Sequence, residues 1–489
     1  MNVNREDTDN IIEKQKAIMR SIFEVSSARY TPPLAYIDTY GCQQNESDSE
    51  KLRGMLAEMG YGFTGDEYSA DLIIINTCAI RENAENRVYG NVGALVHTKK
   101  AKPSQIIAFC GCMAAIPEVE EKIRQSYRHV DLMFSPNNLW RLPEMLWNVM
   151  ESKKRLYETA VGEGVIVEGI PVKRDKAVKA WLPIMYGCDN FCSYCIVPYV
   201  RGRERSRRPE AVLDEARSLV AEGYKDITLL GQNVNSYGGE TGGRFPVPLV
   251  SRNTTPVSHV GFPELIRMIN AIDGEFLIRF MTSHPKDATR ELFLVMAESE
   301  KAAKHIHLPF QAGNDRILKL MNRGYTHAQY LEKVETARKL MPDIVITSDV
   351  IVGFPGETEE EFEDTMSLIE KAQFDAMFTF IYSQRPGTSA ALMTDSVTRE
   401  EKQVRFDRLI KLQNGISAEK HSQYIGKKIR VLIDEESTDE RYPLRARTNG
   451  GRLVHLPGET GAVGSFTDVL ITHCNSWALF GEKTDAGGF

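Results

Sequence analysis

Trp181-Leu182-Pro183-Ile184-Met185-Tyr186-Gly187-Cys188-Asp189-Asn190-Phe191-Cys192-Ser193-Tyr194-Cys195 decides how the rest of the chain is read. Residues 181–185 are apolar and strand-like. They lead into a loop whose three cysteines are spaced C-x3-C-x2-C. Downstream, strands are predicted at 226–231, 276–281, 305–309, 344–352 and 376–382, separated by helices at 209–222, 262–271, 286–299, 327–340 and 357–373. Such alternation predicts parallel strands, and six units predict a barrel or partial barrel with its chemistry at the strand C-terminal ends. The cysteine loop stands at the first of those ends. Residues 238–261, rich in Gly, Pro and Ser, read as a long surface loop.

Upstream the pattern is similar but separate. Strands are predicted at 34–40, 71–76, 105–110 and 129–134, with helices such as 48–59 and 82–99 between them. That is an N-terminal parallel α/β domain over residues 33–155. Residues 1–32 read as a polar extension with room for a short helix, closed by Pro32 and Pro33. Residues 156–180, with Gly162, Gly164, Gly169 and Pro171, read as a connection to the barrel over 181–422. From 423 to 486 the character changes. Strand-like pieces at 428–433, 443–448, 453–456 and 465–472 are separated by Gly and polar turns, which predicts a small β-barrel. The fold class is therefore α/β multidomain, a parallel α/β domain, a partial (βα)6 barrel and a small β-barrel in order.

Composition restricts the function. The chain has 489 residues, 42% hydrophobic and 26% charged, which suits about three domains and excludes wholesale disorder. Apolar runs such as 72–75 fall far short of the roughly 20 residues that span a bilayer, and the N-terminus has no apolar core of a secretory signal. A cytoplasmic protein without a membrane partner is expected. The net charge of −7 argues against a nonspecific nucleic-acid coat but leaves room for local basic surfaces. Eight cysteines are too few for a disulfide scaffold, so ligation, catalysis or core filling are the readings to weigh.

Cys188, Cys192 and Cys195 offer three thiolates in one tight loop. Three ligands leave one iron of a 4Fe–4S cluster open, and an open iron can bind the amino and carboxylate groups of S-adenosylmethionine. The plainer alternatives are a zinc site, which usually needs a fourth ligand and C-x2-C pairs, or inert cysteines. A second set is spread over the first domain: Cys42, Cys78 and Cys112 each follow the end of a predicted strand. Parallel strands point the same way, so the three thiols would meet at one sheet edge, either as a second cluster site or as buried apolar groups. Cys110 and Cys474 read as core fillers.

A basic run follows the cysteine loop directly. Arg201, Arg203, Arg205, Arg207 and Arg208 against Glu204 give +4 over eight residues, a charge that suits phosphate contact as well as a solvated face. In the last segment Lys427, Lys428, Arg430, Arg441, Arg445, Arg447 and Arg452 face an acidic loop of Asp434, Glu435, Glu436, Asp439 and Glu440, so the barrel strands themselves are basic. Small barrels of this kind commonly bind RNA.

From 34 to 472 the chain resembles the radical S-adenosylmethionine methylthiotransferase family. The motifs are Thr39-Tyr40-Gly41-Cys42-Gln43-Gln44-Asn45, Asn76-Thr77-Cys78-Ala79-Ile80-Arg81, Gly111-Cys112-Met113-Ala114, and the stretch from Met185 to Cys192 with Arg205-Ser206-Arg207. Gly231-Gln232-Asn233-Val234-Asn235-Ser236-Tyr237 fits the tRNA-modifying branch that acts on dimethylallylated adenosine. Ser283-His284-Pro285, His307-Leu308-Pro309-Phe310-Gln311, Val352-Gly353-Phe354-Pro355-Gly356-Glu357 and Ser383-Gln384-Arg385-Pro386-Gly387-Thr388 also fit. Ala312 departs from the usual Ser. The last segment resembles the RNA-binding TRAM domain.

The resemblance implies two 4Fe–4S clusters, a catalytic one on Cys188, Cys192 and Cys195 and an auxiliary one on Cys42, Cys78 and Cys112. It implies two molecules of S-adenosylmethionine per turnover, one giving a methyl group to sulfur and one cleaved to a radical that takes hydrogen from carbon 2 of the adenine. The substrate implied is N6-dimethylallyladenosine just 3′ of the anticodon, in tRNA with an adenine-rich anticodon loop. Tyr194, Gly231, Gln232, Asn233, Ser283, Gln311 and Gly353 are the expected cofactor contacts. Arg201, Arg203, Arg205, Lys428, Arg445 and Arg447 are the expected RNA contacts. A low-potential electron donor and a sulfur or iron–sulfur supply are the expected partners. Two competing readings are a noncatalytic RNA-binding module with zinc in its cysteine sites, and a methylthiotransferase acting on a protein side chain.

Overall fold

The computed structural model describes residues 5–79, 82–162, 164–240, 259–459 and 461–484. It divides into two units. The first runs to Asp175 and adds Tyr186–Asp189 and Cys195–Arg205; the second is Lys176–Met185, Asn190–Tyr194 and everything from Ser206.

The first unit is built on six parallel strands, β1 (Leu34–Thr39), β2 (Gly62–Phe63), β3 (Leu72–Thr77), β4 (Ile106–Gly111), β5 (Leu132–Phe134) and β6 (Leu156–Glu158), in the order β2-β1-β3-β4-β5-β6. Every residue of β3 is buried, as expected of a strand covered on both faces. The helices that cover the sheet include α1 (Arg5–Ser27), α2 (Gln43–Glu58), α3 (Glu82–Ala101), α4 (Pro117–Ser126) and α5 (Leu142–Ser152). The register pairs Thr39 with Asn76 and Thr77 with Gly111. The strands that precede Cys42, Cys78 and Cys112 are therefore neighbours, and all three end at one sheet edge.

Two expectations are corrected here. The N-terminal extension is a 23-residue helix, not a short one. Ile12, Gln15, Met19, Ile22 and Ser26 recur every three or four residues and are buried, with Met19 and Ile22 in a core shared with Leu56 and Leu146. The connection expected over 156–180 begins inside the first sheet, because 156–158 is its sixth strand. Further along, a side-chain carbon on Gly54 of α2 would meet the Pro171 carbonyl at 2.2 Å, and the Lys173 N–H donates to the Glu50 carbonyl at 3.0 Å.

The second unit carries six parallel strands, Lys179–Pro183, Asp226–Leu230, Leu277–Phe280, His305–His307, Val345–Val352 and Ala376–Ile381, arranged in chain order. The third and fourth are joined by the bridge between Ile278 and Ala302. This is the expected open, partial barrel. Thr326, Thr358 and Thr398 each start a helix with a reciprocal capping box, to Gln329, Glu361 and Glu401. The last of these helices, Arg399–Ser422, has no counterpart among the sequence-based expectations. The loop expected over 238–261 starts and ends as a paired hairpin, Gly238–Glu240 with His259–Gly261, while 241–258 lie outside the described residues.

The C-terminal segment closes into a barrel of five strands, Lys428–Glu436, Leu444–Thr448, Leu453–Leu456, Phe466–Cys474 and Leu479–Lys483. The fifth is additional to the four expected. The barrel is docked within its unit. Leu432 packs with Val178 and Leu277. Arg279 donates to the Asn449 carbonyl at 2.7 Å and the Thr448 carbonyl at 3.1 Å, and Arg452 forms a buried ion pair with Asp375. Arg452→Ala would leave the Asp375 carboxylate buried without its ion-pair partner, held among the described residues only by the Ile346 N–H. A loss of about 3–5 kcal/mol is expected in urea unfolding followed by tryptophan fluorescence.

Candidate functional site

Cys42 lies at the entrance to α2, and the glycine before it has φ +118°. A side-chain carbon on Gly41 would lie 2.3 Å from Cys78 Cβ and 2.8 Å from its sulfur. Glycine is thus required for the Cys42 and Cys78 loops to touch. Gly111, with φ +92°, does the same for Cys112, since a Cβ there would meet the Thr77 carbonyl at 2.3 Å. Asn45 stitches these turns together: its amide donates to the Tyr40 and Thr77 carbonyls, both at 2.8 Å. Asn76 donates in turn to the Asn45 carbonyl at 2.9 Å.

The charge at this edge comes from Arg201. Its Nε donates to Cys112 Sγ at 3.2 Å, and one Nη donates to Asn45 Oδ1 at 2.8 Å and to Asp48 Oδ2 at 2.9 Å. The hydrogen bond with Cys78 brings the Cys42 thiol down to about 6 against the cost of burial, with help from Arg201 and the backbone N–H groups of Asn45 and Gln44. Burial pushes the Cys112 thiol up, and Arg201 opposes that rise. The thiol of Cys42 raises that of Cys112 as well, and the Cys42 and Cys78 loops touch at the same sheet edge where Arg201 donates to Cys112. Among the described residues no three His, Cys, Asp or Glu side chains converge as ligands of one metal ion. A multi-iron cluster asks for something different, because each cysteine binds a different iron. Cys110 points into the core, and burial pushes its thiol well up.

In the loop after the first barrel strand, Cys188 and Cys192 are buried and Cys195 is half-buried. Around Cys192 the chain is held by its own unit. The Ser193 N–H donates to the Met321 carbonyl at 3.1 Å, and the Asn322 amide donates to the carbonyls of Asn190 at 3.1 Å and Phe191 at 3.0 Å. Phe191 takes a left-handed backbone, φ +44°. Arg323 is buried and donates to Cys192 Sγ at 3.2 Å and to the Pro309 carbonyl at 2.9 Å. The Tyr194 hydroxyl lies 3.5 Å from the same guanidinium.

Several buried polar atoms at the C-terminal ends of the barrel strands have no hydrogen-bond partner among the described residues: Ser193 Oγ, Asn233 Oδ1, Ser283 Oγ, His284 Nε2 and Gln311 Oε1. A buried unpaired polar atom costs about 1–3 kcal/mol, and several at one end of a barrel mark a polar ligand site. Burial first, then Arg323 and Lys286, hold the His284 imidazole neutral. Its Nδ1 accepts from the Lys286 N–H at 3.1 Å, which puts the ring proton on Nε2 as a donor. Asn233 is fixed by its amide on Asp287 at 2.8 Å, and Gln311 sits at φ +68°. Gln232 is half-buried. The glycines have a packing reason of their own. A Cβ on Gly231 would meet Met185 Cγ at 2.4 Å, and one on Gly353 would meet Lys402 Cγ at 2.3 Å.

The expected RNA contacts divide sharply. Arg201 is 5% exposed and committed to Cys112, Asn45 and Asp48, so its assignment to RNA is corrected. Arg205 turns inward to Asn137 Oδ1 and the Arg201 carbonyl, both at 3.3 Å, which leaves little of it for phosphate. Arg203 is 67% exposed and paired with Asp189 at 3.0 Å. In the small barrel Lys428, Arg445 and Arg447 are exposed or partly exposed, each beside a carboxylate. One feature is invisible in the sequence. The strand register sets Arg445, His455, Phe480 and His473 side by side on four adjacent strands. Phe480 stacks on His473 at 4.4 Å and on His455 at 5.1 Å, with Tyr442 edge-on at 5.1 Å. A hydrophobic pattern search cannot see this row, because its members come from four separate strands.

Comparison with known proteins places this geometry among relatives. The chain matches models of the Radical SAM superfamily over 182–369, of the Uncharacterized protein family UPF0004 over 34–135 and of the TRAM domain over 422–484. It is 48% identical over 446 residues to the tRNA-2-methylthio-N(6)-dimethylallyladenosine synthase of Acetivibrio thermocellus, covering 91% of this chain and 90% of that protein. It is 44% identical to the enzyme of the same name from Thermoanaerobacter sp., covering 98% of each. Among solved structures, the radical S-adenosylmethionine methyltransferase TsrM from Kitasatospora setae matches with a TM-score of 0.53 at 14% identity, over 73% of this chain and 75% of that one. That last likeness is one of fold alone.

Proposed function

The chain belongs to the tRNA-2-methylthio-N(6)-dimethylallyladenosine synthase family, and from that membership we propose that it inserts a methylthio group at carbon 2 of N6-dimethylallyladenosine just 3′ of the anticodon. It is a radical S-adenosylmethionine tRNA methylthiotransferase. In this reading Cys188, Cys192 and Cys195 hold one 4Fe–4S cluster, Cys42, Cys78 and Cys112 hold another, and two molecules of S-adenosylmethionine are used per turnover. The clusters supply the electron that cleaves S-adenosylmethionine and the site at which sulfur is delivered. The observation that carries the reading is the gathering of Cys42, Cys78 and Cys112 at one sheet edge beside a buried arginine that donates to one of their sulfurs.

The other residues suit this chemistry. Ser193, Asn233, Ser283, His284 and Gln311 bring unsatisfied donors and acceptors to the strand ends, where an amino acid moiety and a ribose need them. The apolar barrel core behind them keeps water from a reactive radical. The target adenine belongs to a single-stranded loop, so it can leave its stack at modest cost. The work then lies in the cytoplasm with tRNA, a low-potential electron donor and a sulfur or iron–sulfur supply. Nucleoside mass spectrometry of tRNA from cells with and without the gene tests the proposal: the methylthio nucleoside should vanish and its dimethylallyl precursor accumulate, and unchanged methylthio levels would overturn it.

We assign the tRNA contact of the small barrel to the row of Arg445, His455, Phe480 and His473. Stacking is worth about 1–3 kcal/mol per base, and each cation on a phosphate adds roughly 0.7 to the salt slope of the affinity for single strands. His473→Ala, which removes the exposed ring at the end of the stacked row, should weaken tRNA binding by about 1–3 kcal/mol. Replacing Arg445 and Arg447 by Gln should flatten the slope. Affinity measured across a salt series separates the two effects, and an unchanged affinity in both variants would place the tRNA elsewhere.

A further inference from the structure

Arg201 belongs by sequence to the basic run after the Cys188–Cys195 loop, yet it points at the other set of cysteines. It ends the short helix Val197–Arg201, whose Val200, with Ile196 just before it, packs into the same core as Met113 and Ala114, the neighbours of Cys112. That packing leaves its side chain only 5% exposed. Its three contacts are Cys112 Sγ, Asn45 Oδ1 and Asp48 Oδ2. A buried cation is tolerable only when its N–H groups meet good acceptors. Asn45 and Asp48 are good acceptors, whereas a neutral thiol is a weak one. A thiolate sulfur bound to iron is an anionic acceptor and gives the charge-assisted bond that the buried Nε–H calls for. The planar fork matters too. Nε and Nη reach two targets at once in fixed geometry, which the single ammonium of lysine cannot copy.

We propose that Arg201 is a positioning residue of the methylthiotransferase reaction that sets the reduction potential of the cluster on Cys42, Cys78 and Cys112, with Asp48 as its counterweight. The role rests on those three cysteines holding a cluster. Reduction adds negative charge to a cluster, so a nearby cation with an N–H bond to a ligand sulfur favours the reduced form and raises the potential. A carboxylate partly cancels that cation and lowers the potential. The segment Cys195–Arg201 thus contributes a ligand to one cysteine set and the governing charge to the other.

The test uses the full-length chain with Cys188, Cys192 and Cys195 replaced by Ala, so that only the first-unit cluster assembles. Its potential is read by redox titration followed by electron paramagnetic resonance. Adding Arg201→Gln should disfavour the reduced form at least tenfold, a fall of about 59 mV for one electron. Adding Asp48→Asn should shift the potential the opposite way. Arg201→Lys should restore part of the loss but not all of it, since the charge returns without the fork. The opposed signs distinguish this role from structural damage, which would not raise the potential in one variant and lower it in the other. If Arg201→Gln does not fold, the rise expected of Asp48→Asn still decides. Potentials that stay put, or that move the same way in both variants, overturn the inference while iron in the parent chain leaves the cluster reading standing. A parent chain without iron overturns both.

Discussion

Replacing Cys188, Cys192 and Cys195 together by alanine is expected to abolish reductive cleavage of S-adenosylmethionine and to lower the iron of the anaerobically reconstituted protein from about eight atoms to about four. The expectation follows from the spacing: one tight loop supplies every protein ligand of that cluster, so no single remaining cysteine can hold it. The two cysteines outside both sets offer no rescue. Cys110 is locked in the interior of a strand and Cys474 lies in the small barrel. The fold should survive, because the loop is held largely by groups other than the thiols, among them the Met321 carbonyl and the Asn322 amide. Unchanged circular dichroism with no 5′-deoxyadenosine formed is the predicted result. Cleavage retained in this variant would show that the cofactor reacts elsewhere.

The complementary triple variant, Cys42, Cys78 and Cys112 to alanine, should separate radical formation from sulfur delivery. S-adenosylmethionine should still be cleaved reductively, while the methylthio product disappears. Half of the iron should be lost again, this time from the other site. The cost to stability should be real, since Arg201 would lose the sulfur that accepts from its buried Nε. Loss of one partner of a buried charged hydrogen bond typically costs about 1–3 kcal/mol. Methylthiolation surviving in this variant would make the three cysteines structural.

Much of this arrangement was legible in the chain. Strand–helix alternation located the six barrel strands to within a residue or two, because short strand-like runs bounded by turn residues alternate with longer amphipathic helices. The same rule brought Cys42, Cys78 and Cys112 to one sheet edge, since the strands before them are adjacent in the parallel sheet. What stayed hidden depends on distant partners. Arg201 reads as surface charge until Asp48, 153 positions away, is seen beside it. Arg323 meets Cys192 across 131 positions. The stripe of α1 is diluted by charged residues, and a window average hides it. The fifth strand of the small barrel follows 466–474 as a hairpin across a turn at Asn475, but its other edge closes the barrel in parallel on 453–456, a nonlocal contact. Gly231 and Gly353, expected among the cofactor contacts, also have a packing reason to be small, because a Cβ on either would meet Met185 or Lys402.

The most direct test of the central claim uses tRNA that carries N6-dimethylallyladenosine with deuterium at carbon 2, incubated anaerobically with the reconstituted protein, S-adenosylmethionine and a low-potential reductant. The 5′-deoxyadenosine and the nucleosides are then analysed by mass spectrometry. Deuterium should appear in the 5′-deoxyadenosine in step with a methylthio group on the adenosine. If methylthio product forms while the deuterium stays out of the 5′-deoxyadenosine, or if deuterium moves and no methylthio group appears, radical methylthiolation of carbon 2 by this protein is contradicted.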